Sequence, residues 1–352
     1  MAPKSAQPDW RRRGATPTTP NRGAWPKKDM KYELIASPSR SSGMEKDGDA
    51  LKDFRTQEEY RDFIQGKLDD YWKFYPKEGS YVDDKHNRRK ELQSNISIQF
   101  RKLREGISSS KRSDAFAKEA YETSLYLSVL FDHPLQTTST LSYLLPNLYF
   151  SPGTQMKSTD NRQSTTIISL LHHLVAAYPS QATFRQHLQS LPPSFLPDDS
   201  PASEWITLIA STLRLRNYAK FELLTRPAAF EAFLPPLPSP KSIKSPAAPS
   251  KATRTPDPSL ASDAMHSLVE ALRSKARGTT WLILRSAYRE LSCQSGSPTR
   301  DWLVASLALC PVRSAGNSSF SLDEWLEKTE KEGGIKKKDG VEGRWMVCKV
   351  KS

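Results

Sequence analysis

The hydrophobic pattern is clearest in residues 204–224. The i, i+3, i+4, i+7, i+8 spacing of a helix face is met by Trp205, Leu208, Ile209, Thr212 and Leu213. Asn217 is then predicted to cap a second helix, because its side-chain oxygen can accept from the free amides of the next turn. The stripe of that second helix holds Tyr218, Phe221 and Leu224. Because the connecting turn is short, the two helices are predicted to lie antiparallel, each burying its stripe against the other.

The helix pair belongs to a longer segment, residues 51–234, and similar periodicity occurs in the part of this segment that precedes the pair. Thr56 followed by Glu59 is typical of a capping box, so a helix is predicted to begin there. The predicted helices cover residues 56–75, 83–107, 113–131, 134–149, 164–178 and 184–191. Helix pairs in unbroken series are typical of an α-solenoid, in which each pair packs mainly on its neighbours. No strict repeat period is present, so the sequence predicts an irregular, TPR-like helical-repeat array.

Residues 261–352 show a different order of elements. Helices are predicted at 263–276, at 281–291, from Pro298, and from a capping box of Ser321 with Glu324. A turn signal at residues 339–340 then separates two short alternating runs within 335–350, which predicts a β-hairpin. Helices followed by a hairpin indicate a winged helix. Trp325 and Trp345 are expected to be buried in it.

Two segments lack apolar periodicity. Residues 1–50 mix basic side chains with Pro, Ser, Thr and Gly, and we expect a disordered basic tail there. Residues 235–260 are dense in proline and are predicted to form an extended linker or insertion. A proline-rich ligand for an aromatic groove is the alternative for this second segment. Neither segment has enough apolar surface for a core, so both are expected to be dispensable for stability.

The charge balance favours a polyanionic partner. The 352 residues carry 52 Lys and Arg against 39 Asp and Glu, a net charge of +13. Nucleic acid, an acidic protein and a membrane surface all suit this balance, as does a tail that only aids solubility. In the tail, Arg11, Arg12 and Arg13 lie beside Trp10, a mixture that can contact RNA. A nuclear-import signal and no specific role are the alternatives. Phosphorylation before proline, at Thr16, Thr19 or Ser37, would oppose RNA binding.

Two further basic groups are candidate binding sites. The predicted hairpin carries four cations that can reach phosphates: Lys336, Lys337, Lys338 and Arg344. A second group is predicted to bind an acidic partner if its two halves come together in the fold. It consists of Arg214, Arg216, Lys220, Arg273, Lys275 and Arg277. Ordinary solvated helix faces are the alternative for this second group.

No motif for catalysis or for a cofactor is found. The three cysteines are widely spaced and fit neither a disulfide framework nor a zinc site. Adjacent His172 and His173 point about 100° apart on a helix, so they are not expected to share a metal with His187. Phosphate-binding loops and nucleophile elbows are absent from the sequence. No apolar run marks a signal peptide or reaches the roughly 20 residues of a membrane helix. A non-enzymatic protein of a reducing compartment, without cofactor or metal, is therefore predicted.

Three stretches carry a resemblance to a known family. The first stretch resembles a "gNY-x-x-F-x-L" turn and reads LRLRNYAKFELL. The second resembles "LR-x-x-A … AYR" helices and, from Leu268, reads LVEALRSKARGTTWLILRSAYRELS. The third resembles the helix before a wing and reads SLDEWLEKTEKEGG. Together they are similar to PCI-domain proteins of the suppressor-of-actin / germinal-centre-associated nuclear protein (GANP) family. One departure concerns an Arg-x-x-Arg-Gln-Asp motif of that family. Its nearest equivalent here, residues 100–105 (FRKLRE), lacks the Gln-Asp.

The resemblance implies a function as well as a fold. Members of this family are scaffold subunits of nuclear complexes that couple transcription to mRNA processing or export. They hold a small acidic Sem/Dss-type protein beside the winged helix and assemble with other PCI subunits. The expectation for this chain is therefore a nuclear scaffold with weak, sequence-tolerant RNA binding and no membrane partner. The alternative is a PCI subunit of a proteasome-lid-like or translation-initiation-type assembly, whose winged helix serves protein contacts.

Overall fold

A computed structural model of the chain describes residues 32–38, 46–76, 86–150, 161–234, 257–312 and 321–349. The chain divides into two compact units, Met1–Ile35 and Ala36–Ser352, and only residues 32–35 of the first unit are described. Arg11, Arg12 and Arg13 therefore lie outside the described residues, as does most of the proline-rich segment. The following description concerns the second unit.

The described part of the chain is mostly helical, as the sequence predicts. Residues 46–234 form α1 (Phe54–Phe74), α2 (His86–Ser109), α3 (Ala115–Leu130), α4 (Pro134–Tyr143), α5 (Arg162–Ala177), α6 (Ala182–Ser190), α7 (Pro201–Arg214), α8 (Tyr218–Leu224) and α9 (Pro227–Phe230). Short 3₁₀ or π turns cover Lys46–Lys52, Leu144–Tyr149 and Glu231–Phe233. Residues 257–349 form α10 (Pro258–Ala287), β1 (Glu290–Ser292), α11 (Pro298–Ser306), α12 (Leu322–Lys331), β2 (Ile335–Lys337) and β3 (Arg344–Val347).

Local capping signals account for most helix starts. The predicted capping box of Ser321 and Glu324 is confirmed at α12, because each side chain accepts from the other's backbone amide. At α1 the prediction was wrong. Asp53 caps this helix through a 2.8 Å bond from the Thr56 amide, and Thr56 lies inside the helix. That bond lowers the pKa of Asp53, which is the expected effect of a hydrogen bond to a carboxylate.

The antiparallel pair predicted from residues 204–224 is confirmed as α7 and α8. Asn217 caps α8 by accepting from the Lys220 amide at 3.1 Å. Trp205, at the start of α7, donates from Nε1 to the carbonyl of Leu224 at the end of α8, at 2.9 Å. A contact between the start of one helix and the end of the next is possible only when the two run in opposite directions.

One helix connects the two halves of the unit. The sequence predicted separate helices at 263–276 and 281–291, but α10 is one helix of 30 residues that ends at Ala287. Nothing in its interior is a proline, and Gly278 alone weakens a helix by only about 1 kcal/mol, too little to break one that is packed on both sides. It packs against α3 and α5, and Leu284 near its end lies in the core of the C-terminal part.

The C-terminal part contains a three-stranded antiparallel sheet in the order β1-β3-β2. The predicted hairpin is confirmed as β2 and β3, with Lys337 opposite Trp345. Trp325 and Trp345 are 5% and 8% exposed, which confirms that both are buried. Gly343 in the hairpin loop has a φ of 73° and lies against the backbone of Gln294, so a side chain there would be strained and would collide with it.

No helix within the described ranges is both long enough and apolar enough to cross a membrane.

Candidate nucleic-acid and partner surfaces

Three of the four predicted hairpin cations share the outer face of the sheet. Residues directly opposite each other in a sheet point to the same side, and Lys336 is opposite Met346, which is opposite Glu290. Arg344 lies two residues from Met346 on the same face, and the Lys338 amide donates to its carbonyl at 3.0 Å. Lys337 lies on the inner face, with Nζ 5.3 Å from the ring centre of Trp345.

One carboxylate, missed by the sequence reasoning, neutralises part of this face. Glu290 accepts from Lys338 Nζ at 2.9 Å and from Arg344 Nη1 at 3.2 Å. The hydrogen bond from Lys338 is the largest cause of the lowered pKa of Glu290. Lys337 Nζ lies 3.9 Å from a carboxylate oxygen of Glu330. Within the part of the chain that the structure describes, Lys336 alone of the four cations has no ion pair.

The helix before the hairpin has the opposite charge. Residues 323–332 contain five carboxylates and two lysines, and most of these side chains are exposed. A helix enters a nucleic-acid groove only against a dense array of phosphates, which repels carboxylates. Binding of nucleic acid to α12 is therefore disfavoured. Within the C-terminal part, the outer face of the sheet remains the candidate surface for phosphate contacts.

A cleft separates the hairpin loop from α11 and α12. Its volume is about 970 Å³, and its lining includes Trp345, Val341 and three of the hairpin cations, Lys337, Lys338 and Arg344. Among the lining residues, Arg300 forms a bidentate ion pair with Asp323, with nitrogen–oxygen distances of 3.0 and 2.6 Å. This pair raises the pKa of Arg300 and lowers that of Asp323, chiefly through the hydrogen bonds between them. The pair links α11 to the start of α12.

The second predicted basic group is divided by the fold. Arg214, Arg216 and Lys220 are exposed around the α7–α8 turn and make no ion pair with a described residue. Lys275 is also exposed, and its Nζ donates to the carbonyl of Val175 near the end of α5, at 2.6 Å. These four cations are accessible to an acidic partner.

Arg273 and Arg277 do not belong to that accessible surface, and their assignment to it was wrong. Two residues along a helix turn by about 200°, so both lie on the side of α10 opposite Lys275. Arg273 is 0% exposed. Arg277 donates to the carbonyls of Leu307 and Ala308 at 2.9 and 3.0 Å.

Arg273 is instead the centre of a buried joint. Its guanidinium donates to Thr225 Oγ1 at 2.9 Å and to the carbonyls of Thr225, Ala308 and Cys310. Glu222, also 0% exposed, lies 3.8 Å away and accepts from Arg226 at 3.0 and 3.2 Å. The joint connects α8, α10 and the segment after α11. A signal was present in the sequence, since position 273 continues the apolar stripe of Met265 and Val269 at i+4 spacing.

The stretch that departs from the family motif has a structural role here. Phe100 and Leu103 are buried on α2. Arg104 is buried as well, and its Nη2 donates to Gln136 Oε1 at 2.6 Å, while its carbonyl accepts from the Tyr121 hydroxyl. These contacts connect α2 with α3 and α4 and leave Arg104 inaccessible to a partner.

Three histidines lie together where α5 meets α6. The ring centres of His173 and His187 are 4.4 Å apart. His172 Nε2 is 2.9 Å from Thr138 Oγ1, and His187 Nε2 is 2.7 Å from Ser169 Oγ. Within the described ranges no His, Cys, Asp and Glu side chains form a group that could hold a metal ion. Burial is the main reason why the pKa values of His172 and His187 fall to about 4, and neighbouring histidines add to it.

These histidines predict a loss of stability in mild acid. Their folded pKa of about 4 lies below the unfolded value of 6.5, so the unfolded chain binds more protons between those pH values. The contribution is complete above pH 6.5 and is lost as the pH falls towards 4. We expect the free energy of unfolding to decrease across this range by on the order of 1–3 kcal/mol per histidine. Urea titrations at pH 7, 6, 5 and 4.5 measure it.

The matched control is the double variant His172→Gln/His187→Gln. Glutamine keeps hydrogen-bonding capacity but does not titrate, so the dependence on pH between 6.5 and 4 should be shallower than in the wild type. An unchanged dependence would show that other groups cause the acid sensitivity.

Comparison of the chain with protein-family models, with curated proteins and with solved structures finds no match.

Proposed function

We propose that this chain is a non-catalytic PCI-type scaffold subunit of a nuclear complex that couples transcription to mRNA processing or export. The observation that supports it most is the order of the C-terminal elements. α10 is followed by β1, α11, α12, β2 and β3, and the sheet order is β1-β3-β2. This order supports a winged helix. We propose that this winged helix is joined through α10 to an irregular, TPR-like helical array.

The buried joint suits a scaffold because it connects the helical array with the C-terminal part through hydrogen bonds of Arg273. Arg273 satisfies carbonyls of the segment after α11 while packed against α8. A partner that contacts both parts therefore meets a surface of fixed shape, which lowers the entropic cost of binding. The partners we propose are other PCI subunits and a small acidic Sem/Dss-type protein. For the acidic protein the candidate surface is Arg214, Arg216, Lys220 and Lys275.

For RNA, we propose weak contact through the outer face of the sheet. This face presents Lys336, Lys338 and Arg344 with the exposed Met346, and it has no side-chain pattern that reads bases. Phosphate contacts position a protein on nucleic acid without selecting a sequence. Glu290 weakens these phosphate contacts because it already forms ion pairs with two of the cations, Lys338 and Arg344.

Neutralising this carboxylate is expected to strengthen RNA binding. In Glu290→Gln, Lys338 and Arg344 lose their ion pair and become available to phosphates. Each phosphate newly neutralised adds about 0.7 to the salt slope of single-strand binding, so the slope should increase by about 1.4. Affinity for a single-stranded RNA at low salt should rise severalfold. Fluorescence anisotropy with a labelled oligonucleotide at several salt concentrations measures both values.

Glu327→Gln is the control, since it removes the same charge from an exposed position of α12. It should leave the slope unchanged. A complementary variant, Lys336→Ala/Lys338→Ala, should flatten the slope. Equal effects of the two Glu→Gln variants would indicate a response to net charge alone and would remove the sheet from the RNA surface.

A second candidate function is favoured by the acidic α12. A winged helix whose α12 repels phosphates is suited to protein contacts, as in a proteasome-lid-like or translation-initiation-type PCI assembly. Affinity purification of the full chain from nuclear and cytoplasmic extracts, followed by mass spectrometry, distinguishes the two. Transcription and mRNA-export factors are expected to co-purify. Proteasome-lid or initiation-factor subunits in their place would overturn the proposed complex.

The proposed acidic-partner surface can be tested in the same purification. The triple variant Arg214→Glu/Arg216→Glu/Lys220→Glu reverses three exposed charges and leaves the core untouched. It should lose a small acidic subunit while retaining larger PCI partners. A variant that keeps the acidic subunit would exclude the α7–α8 turn as its binding site.

A further inference from the structure

Two aromatic rings are exposed where α10 leads into β1. Tyr288, directly after α10, is 45% exposed, and Trp302 of α11 is 39% exposed. Their ring centres lie 5.7 Å apart and their planes are inclined by 59°, so neither ring covers the face of the other completely. Single apolar side chains are ordinary on a protein surface, whereas two adjoining rings form a patch. Neither ring belongs to the C-terminal core, so core packing does not account for the pair.

The aromatic pair adjoins the cationic outer face of the sheet. Tyr288 precedes Glu290 by two residues, so their Cα atoms are at most about 7 Å apart. The Glu290 carboxylate in turn contacts Lys338 and Arg344 at 2.9 and 3.2 Å. A ligand only a few ångströms longer than one side chain therefore reaches from the rings to these cations.

The charge around the pair favours an anionic ligand. Arg289, next to Tyr288, is exposed and makes no ion pair with a described residue, and the same holds for Lys336 on the outer face. The exposed Asp301 precedes Trp302 and offsets one of these charges. A ligand with both negative charge and flat apolar surface suits this combination. A single nucleic-acid strand has both, since it carries phosphates along its backbone and a π-face on every base.

We propose that Tyr288 and Trp302 form a stacking platform for unpaired bases of single-stranded RNA, whose phosphates contact the outer face of the sheet. This inference rests on the RNA binding proposed above and names the groups that hold the bases. Stacking requires no particular base, which agrees with sequence-tolerant binding. Paired bases are stacked within their own helix, so the platform selects single strands over duplexes.

The first test separates stacking from charge by the dependence of binding on salt. Tyr288→Leu and Trp302→Leu each remove a ring and keep an apolar side chain. The affinity for a labelled single-stranded RNA should fall about fivefold or more in each variant, because stacking on an aromatic side chain contributes at least this much per base. The salt slope should not change, since no phosphate contact is lost. A full-strength affinity in both variants overturns the platform.

Two matched variants control for the ring and for its position. Trp302→Phe retains a ring and should keep most of the affinity. Phe74→Leu removes an exposed ring from α1, in the helical array, and should leave the affinity unchanged. Equal losses in Phe74→Leu and Trp302→Leu would show a general response to lost aromatic surface and would overturn the platform.

A second measurement begins with the wild-type protein. An RNA-like oligonucleotide of the same length without bases retains every phosphate but cannot stack. The wild type should bind it about fivefold or more weakly than the RNA, and this difference should shrink in Tyr288→Leu/Trp302→Leu. If the wild type binds both oligonucleotides equally, or if the difference persists in the double variant, the platform is overturned and the phosphate contacts of the sheet stand. If the wild type binds neither, the proposed RNA contact is overturned together with the platform.

Discussion

Arg273→Ala is expected to destabilise the folded chain by about 2–4 kcal/mol, because it leaves buried oxygen acceptors without their donor and empties the space of a large side chain. The guanidinium lies 3.8 Å from the fully buried Glu222 and donates to Thr225 Oγ1 at 2.9 Å. Its removal also leaves the carbonyls of Ala308 and Cys310 without this donor. Chemical denaturation, followed by tryptophan fluorescence and by circular dichroism, measures the loss. A decrease below about 1 kcal/mol would contradict the role of the joint.

Two variants isolate the cause of this loss. Arg214→Ala removes an exposed arginine that makes no ion pair with a described residue, and it should change stability by no more than about 0.5 kcal/mol. Glu222→Gln in the Arg273→Ala background should recover little stability, because Arg226 still donates to the Glu222 carboxylate at 3.0 and 3.2 Å. A large recovery would indicate that the charge of Glu222, rather than the lost hydrogen bonds and packing of Arg273, dominates at the joint.

Trp325→Ala is expected to cost about 3–5 kcal/mol, because it leaves a large cavity in the C-terminal core. Trp325 is 5% exposed and packs edge to face with Trp281 of α10, with ring centres 5.0 Å apart. Because α10 also packs on α3 and α5, we expect the helical array to lose stability together with the C-terminal part. Far-UV circular dichroism, which reports mainly the helical array, should therefore show the shift in the denaturation midpoint.

Trp302→Ala is the matched control in the same part of the chain. Trp302 is 39% exposed and contacts Tyr288 at the surface, so its loss should cost no more than about 1 kcal/mol. A separate, earlier transition of the C-terminal part in Trp325→Ala, with the array unchanged, would contradict the cooperative role of α10.

The sequence by itself determined the helix starts that depend on interactions between residues close together in the chain. Asn217 caps α8, Ser321 with Glu324 caps α12, and Pro298 lies in the first turn of α11. In each case the hydrogen bond or the backbone restriction acts over at most four residues, so the residues next to it in the sequence are sufficient to predict where the helix begins. The burial of Trp325 was equally predictable, because helical periodicity places it on the apolar face.

Even local signals were ambiguous where two residues could serve the same purpose. Thr56 and Asp53 both precede a helical pattern, and either can cap a helix. The structure has Asp53 as the cap, which extends α1 towards its N-terminus. The sequence wrongly predicted two separate helices in place of α10, for a different reason. A helix that packs on other elements tolerates a glycine, and α10 packs on α3 and α5, which are far away in the chain.

The character of each candidate site was decided by the tertiary structure alone. Arg273 and Lys275 have similar neighbours in the sequence, but one is buried against α8 and the other is exposed. Glu290 lies 48 residues before Lys338, and it reaches the outer face of the sheet only because β1 pairs with β3. Ser37 meets Glu105 across 68 residues. The free energy of a charge depends on the partners and the water around it, and in these three cases the partners are brought together by the fold rather than by the order of residues.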